Sequence, residues 1–438
     1  MAQNKRLYLF TAIIVIIVII AFIYSGASNS TPKTSYYTNN IVSTYNSKNG
    51  NSVVKKVKTH LSKVVLAKNF NYPFFSLPSV SGDYSFVDTA NYFQTYGVKN
   101  PHYEGSVIKI NNETGNIVWK TTLPNLIMSN PTVISQINKV FVGIGNDAFF
   151  RKNGKLMRGT GISGIYALNI STGKIIWKFN TIGQRKATPV YKNGVLYSIG
   201  GNRILYALSA INGKVLWSLN YGSISSASQP LIIGNNLYFG GSYPYYLFDV
   251  NIVTHKIVWK DNFGKMGING GLDDVTPAYN DGYIYTDASQ LINPKTNEGY
   301  DYLYKINANT GNIIWKLKEG YGKLNFPHGA QKQGSIPAVV GHTIYVGSNA
   351  AQKIFAVNTN TGKIIWSNPS IGSNIKPFIV VGNLVYYYDG EDIQIYNKSN
   401  GKYIGTRTTG GKVAGSGMTY VNGRFYVVNV AGDFYIFK

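Results

Sequence analysis

Along residues 60–438, short apolar runs alternate with polar turn clusters. The stretch Ile165-Tyr166-Ala167-Leu168-Asn169 is a short β-rich apolar run that ends on a polar residue. Ser171-Thr172-Gly173 interrupts it, and Lys174-Ile175-Ile176-Trp177-Lys178 resumes it. Two β-rich runs around Thr-Gly predict a tight hairpin, with the Gly at positive φ. Near-copies occur at Glu113–Lys120, Ile211–Leu219, Val253–Lys260, Asn309–Leu317 and Asn360–Ser367. Each of the six tryptophans closes one copy: Trp119, Trp177, Trp217, Trp259, Trp315 and Trp366. The interval runs from 40 residues (Trp177 to Trp217) to 58 (Trp119 to Trp177). A unit repeated at this spacing predicts a solenoid, a propeller or an array.

Each Trp is followed by a Pro, namely Pro131, Pro189, Pro230, Pro277, Pro337 and Pro377. A short apolar run follows the Pro, then a turn such as Lys192-Asn193-Gly194, then another strand. The unit therefore holds four strands, A to D, with Pro opening A and Trp near the end of D. Repeated four-stranded antiparallel units are propeller blades. Two degenerate copies extend the register. Asn400-Gly401-Lys402 repeats the hairpin with Gly405 in the Trp position, and Gly417 opens a last blade that lacks its D strand. Residues 62–68 imitate strand D, with Leu66 in the Trp position. The fold predicted is all-β: eight four-stranded blades, closed by pairing of 62–68 with 433–437. Closure removes the free edges that would template aggregation.

The pattern Tyr-Ala-Leu-Asn-x-x-Thr-Gly-Lys-x-x-Trp resembles the tryptophan-docking repeat of the pyrroloquinoline quinone (PQQ) type eight-bladed propellers, over about residues 61–438. The resemblance implies that each Trp packs between neighbouring blades over a Thr-Gly hairpin. It implies two kinds of function. One branch holds quinoprotein dehydrogenases, with PQQ and Ca²⁺, an adjacent Cys pair and a Trp floor. The other holds non-enzymatic scaffolds, such as the lipoprotein of the outer-membrane barrel assembly machinery. The sequence has no Cys, and all six Trp fall in the hairpin repeat. That favours a scaffold without catalysis and without a cofactor, with a quinoprotein dehydrogenase or a degenerate relative as the alternative.

Before the propeller, residues 1–6 carry Lys5 and Arg6, and Leu7 to Tyr24 is an uncharged apolar run. It approaches the roughly 20 residues that span a bilayer. Basic residues before it predict a cytoplasmic 1–6, a single anchor at 7–24 and an external propeller. A cleaved signal ending near residue 27 would instead give a secreted protein. Residues 25–60, rich in Ser, Thr and Asn, read as a stalk. Asn29, Asn112, Asn169 and Asn397 lie in Asn-x-Ser/Thr triplets open to glycosylation in an exported chain. The net charge of +24 favours anionic partners or reflects a lysine-rich composition.

Loop length singles out one face. The A–B turns and Thr-Gly hairpins, on one side of the disc, are tight. The long segments Asp88–Gly105, Ile144–Gly164, Asp261–Thr276, Asp287–Asp301 and Lys318–Ile336 all fall on the other side, as B–C loops or D–A crossovers. Long loops in compact domains tend to carry function. Within Ile144–Gly164, Arg151, Lys152, Lys155 and Arg158 lie beside Phe149 and Phe150, and His328 adds to the same face. Basic residues among aromatics suit an anionic ligand such as an acidic glycan or a lipid headgroup, or form an ordinary solvated loop; the face as a whole suits a protein or anionic glycan partner, and an external location argues against nucleic acid. Asp273-Asp274 is a carboxylate pair that could bind Ca²⁺ or serve as a solvated turn. No residue set predicts a catalytic or metal site. The reading is a membrane-anchored extracytoplasmic scaffold.

Overall fold

A computed structural model describes residues 63–91, 101–324, 334–370, 376–389, 392–409 and 417–438, all within the compact unit Tyr37–Lys438. Among them no helix is long and apolar enough to cross a membrane. The expected anchor at 7–24, the stalk and Asn29 lie outside the described residues.

Eight four-stranded antiparallel sheets follow one another along the chain. Blade one is Ser79–Ser81, Tyr84–Ala90, Gly105–Asn111 and Ile117–Leu123, hydrogen-bonded in chain order. The eighth blade joins Gly417–Val421, Arg424–Val428 and Asp433–Phe437 to Val64–Asn69, with Val64 opposite Phe437 and Asn69 opposite Asp433. The propeller is thus closed by its N-terminal strand, as the repeat register requires.

The hairpin explains why each repeat folds alike. Asn169 Oδ1 accepts from the backbone N–H groups of Ser171 and Thr172, and the Gly173 N–H donates to the Asn169 carbonyl. Gly173 then sits at φ 72°. The next interaction joins the blades. A Cβ on Gly173 would lie 2.7 Å from the Trp119 ring, and one on Gly213 would lie 2.6 Å from that of Trp177. Trp259 on Gly311, Trp315 on Gly362 and Trp366 on Gly401 repeat the contact. These five indole N–H groups also donate across the seam, among them Trp119 to Ile170 O at 2.9 Å, Trp259 to Ala308 O at 2.8 Å and Trp366 to Lys398 O at 3.0 Å. Where His255 replaces the glycine, its ring stacks on Trp217 at 4.5 Å. Leu66 covers Gly115 in the same way, 3.0 Å from a Cβ placed there. Strands A to C are buried between neighbouring blades, and strand D turns alternate residues to solvent.

Blade five departs from the expected loops. Asp287–Asp301 is not a loop, because Tyr283–Asn293 and Glu298–Asn307 continue as paired strands, and Ile313–Lys323 extends beside them. Aromatic positions carry the alternation beyond the ordinary blade length, and Tyr300 and Tyr321 meet edge-to-face at 4.9 Å. The pairing shifts register opposite Asp301 and Tyr302, at Glu319, and this bulge turns the Glu319 carboxyl inward. Bulges commonly re-aim a side chain in this way. Glu319 and Asp287 are buried as neighbours, and burial together with the nearby carboxylates favours the protonated form of each. Asp301, nearby, accepts from Ser289, Ser348 and the Ala350 N–H.

Two measurements test these features. Trp366→Ala removes an indole that is 8% exposed, and should cost about 3–5 kcal/mol in chemical denaturation. The second concerns pH. Burial raises Asp287 and Glu319 well above ordinary carboxyls, each further by its neighbouring carboxylates. Burial also raises Asp88, against Ser76 and Lys376, and Asp249, to about 7. For acids raised on folding, the folded state binds the extra protons. Stability is then fullest below the ordinary carboxyl range near pH 4 and is lost as pH rises toward 7. The melting temperature should fall over that interval, and Glu319→Gln should flatten the slope. A melting temperature that rises from pH 4 to 7 would contradict the arrangement.

Candidate functional site

The Ile144–Gly164 insertion folds as a hairpin, Phe149–Lys152 against Lys155–Arg158, with Asn153-Gly154 at its tip. Asn146 clamps its base, accepting from the Thr160 N–H at 2.9 Å and donating to the Thr160 carbonyl at 3.1 Å. The returning strand is pinned to the crossover entering blade three. Arg158 N–H donates to Gly201 O, and Gln184 N–H donates to Arg158 O. That approach requires glycine, since a Cβ on Gly201 would lie 1.9 Å from the Arg158 carbonyl oxygen.

This clamp aims Arg158 inward. The four hairpin cations predicted as one ligand-binding set therefore separate. Arg151, Lys152 and Lys155 are exposed, and Arg151 donates to the hairpin's own Gly154 carbonyl. Arg158 is 7% exposed and reaches the interior of the long-loop face. His328, the fifth member of that set, lies outside the described residues.

Arg158 meets three further charges there. Its Nη2 lies 2.7 Å from Asp147 Oδ1, and its Nη1 lies 3.6 Å from Asp273 Oδ2. The Lys186 ammonium, from the crossover into blade three, also contacts Asp147 Oδ1. Asp273, from the crossover into blade five, accepts from Ser242 Oγ at 2.8 Å. The Asp273 carbonyl accepts from the Ser226 and Ser228 N–H groups, which fixes that crossover to its neighbour. Asp273 is therefore a buried site residue, and the solvated-turn reading of it is corrected: the packed crossovers enclose it.

The electrostatics follow from this enclosure. Burial raises the Asp147 carboxyl, but Lys186 and Arg158 more than offset it and hold it at about 2. Burial also raises Asp273, Asp274 adds to the rise, and Arg158 only partly opposes them, so Asp273 sits at about 7. Burial draws Lys186 below the usual lysine range against the attraction of Asp147. One carboxylate is thus permanently charged and another titrates near neutrality, side by side. Arg158 Nε and Asp147 Oδ2 are buried with no hydrogen-bond partner among the described residues. An unpaired donor in such a place has a strong demand for an acceptor.

An aromatic wall adjoins the cluster. The Arg158 guanidinium lies 5.3 Å from the Phe149 ring centre, Phe149 meets Tyr243 edge-to-face at 5.7 Å, and Tyr243 meets Tyr245 at 5.6 Å.

The donor set does not suit a Ca²⁺–quinone pair. Among the described residues, Asp147 and Asp273 are each paired with a cation, Asp147 with Arg158 and Lys186 and Asp273 with Arg158. Every Trp is in the blade girdle, with none over the cluster. Nor does any group of three His, Cys, Asp or Glu there have the placement to hold a metal. Of the remaining sequons, Asn112 is buried and accepts from Ser85 Oγ at 2.6 Å, while Asn169 and Asn397 hold hairpin turns. Asp147 and Lys186 were not predicted from sequence. Lys186 stands three residues before Pro189, where the crossover enters the blade, and that position was the available signal.

The family model described as outer membrane protein assembly factor BamB matches residues 103–290 and 299–404. The tetrathionate hydrolase of Acidithiobacillus ferrooxidans is 29% identical over 73% of this chain and 66% of its own length. That of Acidianus ambivalens is 26% identical over 74% of this chain and 67% of its own. The matches thus span about two thirds of those relatives. Among solved structures, BamB from Moraxella catarrhalis superposes with a TM-score of 0.61 at 14% identity, covering 86% of this chain and 99% of that one. A quinohemoprotein alcohol dehydrogenase from Comamonas testosteroni superposes at 0.53 with 14% identity, over 86% of this chain and 76% of its own. These superpositions describe the fold.

The cluster has a direct test. Asp147→Asn would leave Arg158 and Lys186 facing each other, and loss of one partner from a buried ion pair costs about 3–5 kcal/mol. Denaturant unfolding should show a loss of that size. A change below about 0.5 kcal/mol, the size of an ordinary surface substitution, would mean that the cations are not held by Asp147.

Proposed function

This chain belongs to the PQQ-repeat propeller family of the outer membrane protein assembly factor BamB, and from that premise we propose that its long-loop face holds a hydrolytic site for an anion of the tetrathionate class. The observation that carries this reading is the buried cluster of Arg158, Lys186, Asp147 and Asp273. The two tetrathionate hydrolases support the choice of substrate. A scaffold needs no unpaired guanidinium nitrogen and no titrating carboxyl packed together inside a crossover layer. An anion-converting site needs both.

In the proposed reaction, Arg158 and Lys186 hold sulfonate oxygens of the dianion. Water attacks a central divalent sulfur, and Asp273 takes the proton that the water loses. The new bond is S–O and the broken bond is the central S–S, whose electron pair leaves with thiosulfate. The other half departs as a sulfonated sulfenic acid, so that S₄O₆²⁻ and water give S₂O₃²⁻, HOS–SO₃⁻ and a proton. No external oxidant or reductant enters. A preorganised guanidinium beside the leaving sulfonate opposes the charge that develops there, and a positioned carboxylate contributes about 10²–10⁴-fold as general base.

A second reading keeps the long-loop face as a scaffold for a protein or anionic glycan partner. The family match and the BamB superposition favour it. Under either reading we place the propeller outside the cytoplasm on an anchor at 7–24, where an anionic polymer or a polythionate would reach it. Arg151, Lys152 and Lys155 would then stand at the mouth as a positive field for an incoming anion.

The two readings separate in one assay. Purified propeller given tetrathionate should release thiosulfate. Asp273→Asn should lower kcat by about 10²-fold or more, and Arg158→Gln should lower kcat as well as raise KM. Absence of thiosulfate release at every pH from 2 to 8 would leave the scaffold reading in place.

A further inference from the structure

Phe149 and Tyr243 are both 48% exposed. They belong to blades two and four, with blade three between them. The inserted hairpin of blade two carries Phe149 across that gap to meet the B–C loop of blade four. The hairpin does not depend on this ring contact to stay in place. It is tied by the Arg158 ion pairs, by the backbone bonds to Gly201 and Gln184, and by Arg203 Nε donating to the Leu156 carbonyl at 2.9 Å. Two large exposed rings, held together over a cation cluster that is already secured, are better placed to receive a ligand than to support the fold.

The order of groups gives the ligand's shape. The cluster presents Asp147, Lys186 and Arg158, and Phe149 lies under the Arg158 guanidinium. Tyr243 follows, then Tyr245, whose hydroxyl is pushed up first by burial and then by Asp273. A ligand that places an anionic end on Arg158 and Lys186 therefore lays its next atoms against aromatic rings. Sulfate has no next atoms. A polythionate has a chain of divalent sulfurs, weakly hydrated and polarisable, and such sulfur makes favourable contacts with aromatic rings.

Resting on the proposed anion site, we infer that Phe149 and Tyr243 are its specificity element: they take the divalent-sulfur chain of a polythionate and so select it over a compact dianion. Arg158 and Lys186 recognise charge, which sulfate and tetrathionate share. The rings recognise what lies between the charges, which sulfate lacks.

The test is calorimetric binding of tetrathionate and of sulfate at fixed ionic strength, with Asp273→Asn as background to slow turnover. Tetrathionate should bind more tightly by about tenfold or more, as a few sulfur–ring contacts allow. Phe149→Ala and Tyr243→Ala should each weaken tetrathionate by about three- to tenfold and leave sulfate unchanged. Phe149→Tyr keeps the ring and should keep the selectivity. Equal weakening of both anions would overturn the inference, since the rings would then merely support Arg158. Unaltered selectivity in both ring deletions, or no preference for tetrathionate at the start, would overturn it too. The outcome is separable from the hydrolytic reading. Selective binding without thiosulfate release by the parent protein would sink that reading and leave this one. Release by a protein whose selectivity ignores both rings would do the reverse.

Discussion

The contact between an indole and a backbone glycine on the neighbouring blade governs this molecule. A single blade, as one unit of a repeat, cannot bury its apolar faces alone. Its strands bury their faces only when another blade lies against each side. The Trp sets that distance, because at five of the six seams it lies against a hairpin glycine, which has no side chain to hold it off. The hairpin offers one because Thr-Gly turns need a residue at positive φ. One glycine therefore serves the turn and the seam together. The Trp217–His255 stack keeps the seam by replacing contact with backbone by contact between rings.

Fixing the blades at one face frees the other. The hairpins and A–B turns sit where the seams are made and stay short. The crossovers and B–C loops can lengthen without disturbing a seam, and the charged cluster is built there. Arg158 from the inserted hairpin, Lys186 from the next crossover and Asp273 from a crossover two blades on meet because these segments converge on one face. Their charges matter because the crossovers bury them, which weakens screening by bulk solvent.

The blade count, the register, the closing strand and the role of Leu66 were legible in the sequence, because each follows from local spacing that the repeat imposes. Of the long segments expected on the other face, Ile144–Gly164 proved to be an insertion outside the blade, while Asp287–Asp301 proved to be strand. The cluster was only partly legible. Arg158 stood out beside Phe149 and Phe150, but nothing local distinguishes it from Arg151, Lys152 or Lys155. Only the fold of the hairpin decides which of the four turns inward. Asp147 and Lys186 lie on one polypeptide stretch yet meet through tertiary convergence, which no period records. Blade five was misread for a different reason. Its strands keep alternating past the ordinary blade length, and repeat boundaries, rather than the alternation itself, had set the expected ends.

The closing strand also dictates an order of assembly. Val64–Asn69 pairs with Asp433–Phe437, so the two partners of this ladder are separated by nearly the whole propeller. Every other blade ladder among the described residues joins strands of one blade that lie close in sequence and can form as soon as both are made. This one must wait. Until residues 433–437 arrive, the first strand has no sheet to join, Gly115 has no Leu66 over it, and blade one keeps an open flank. A protein synthesised or threaded through a membrane from its N-terminus therefore holds an exposed edge for most of that journey and removes it in the last step. The joint that makes the ring one object is also the point at which a shortened or stalled chain would betray itself, as an unclosed ring ready to pair with a second copy.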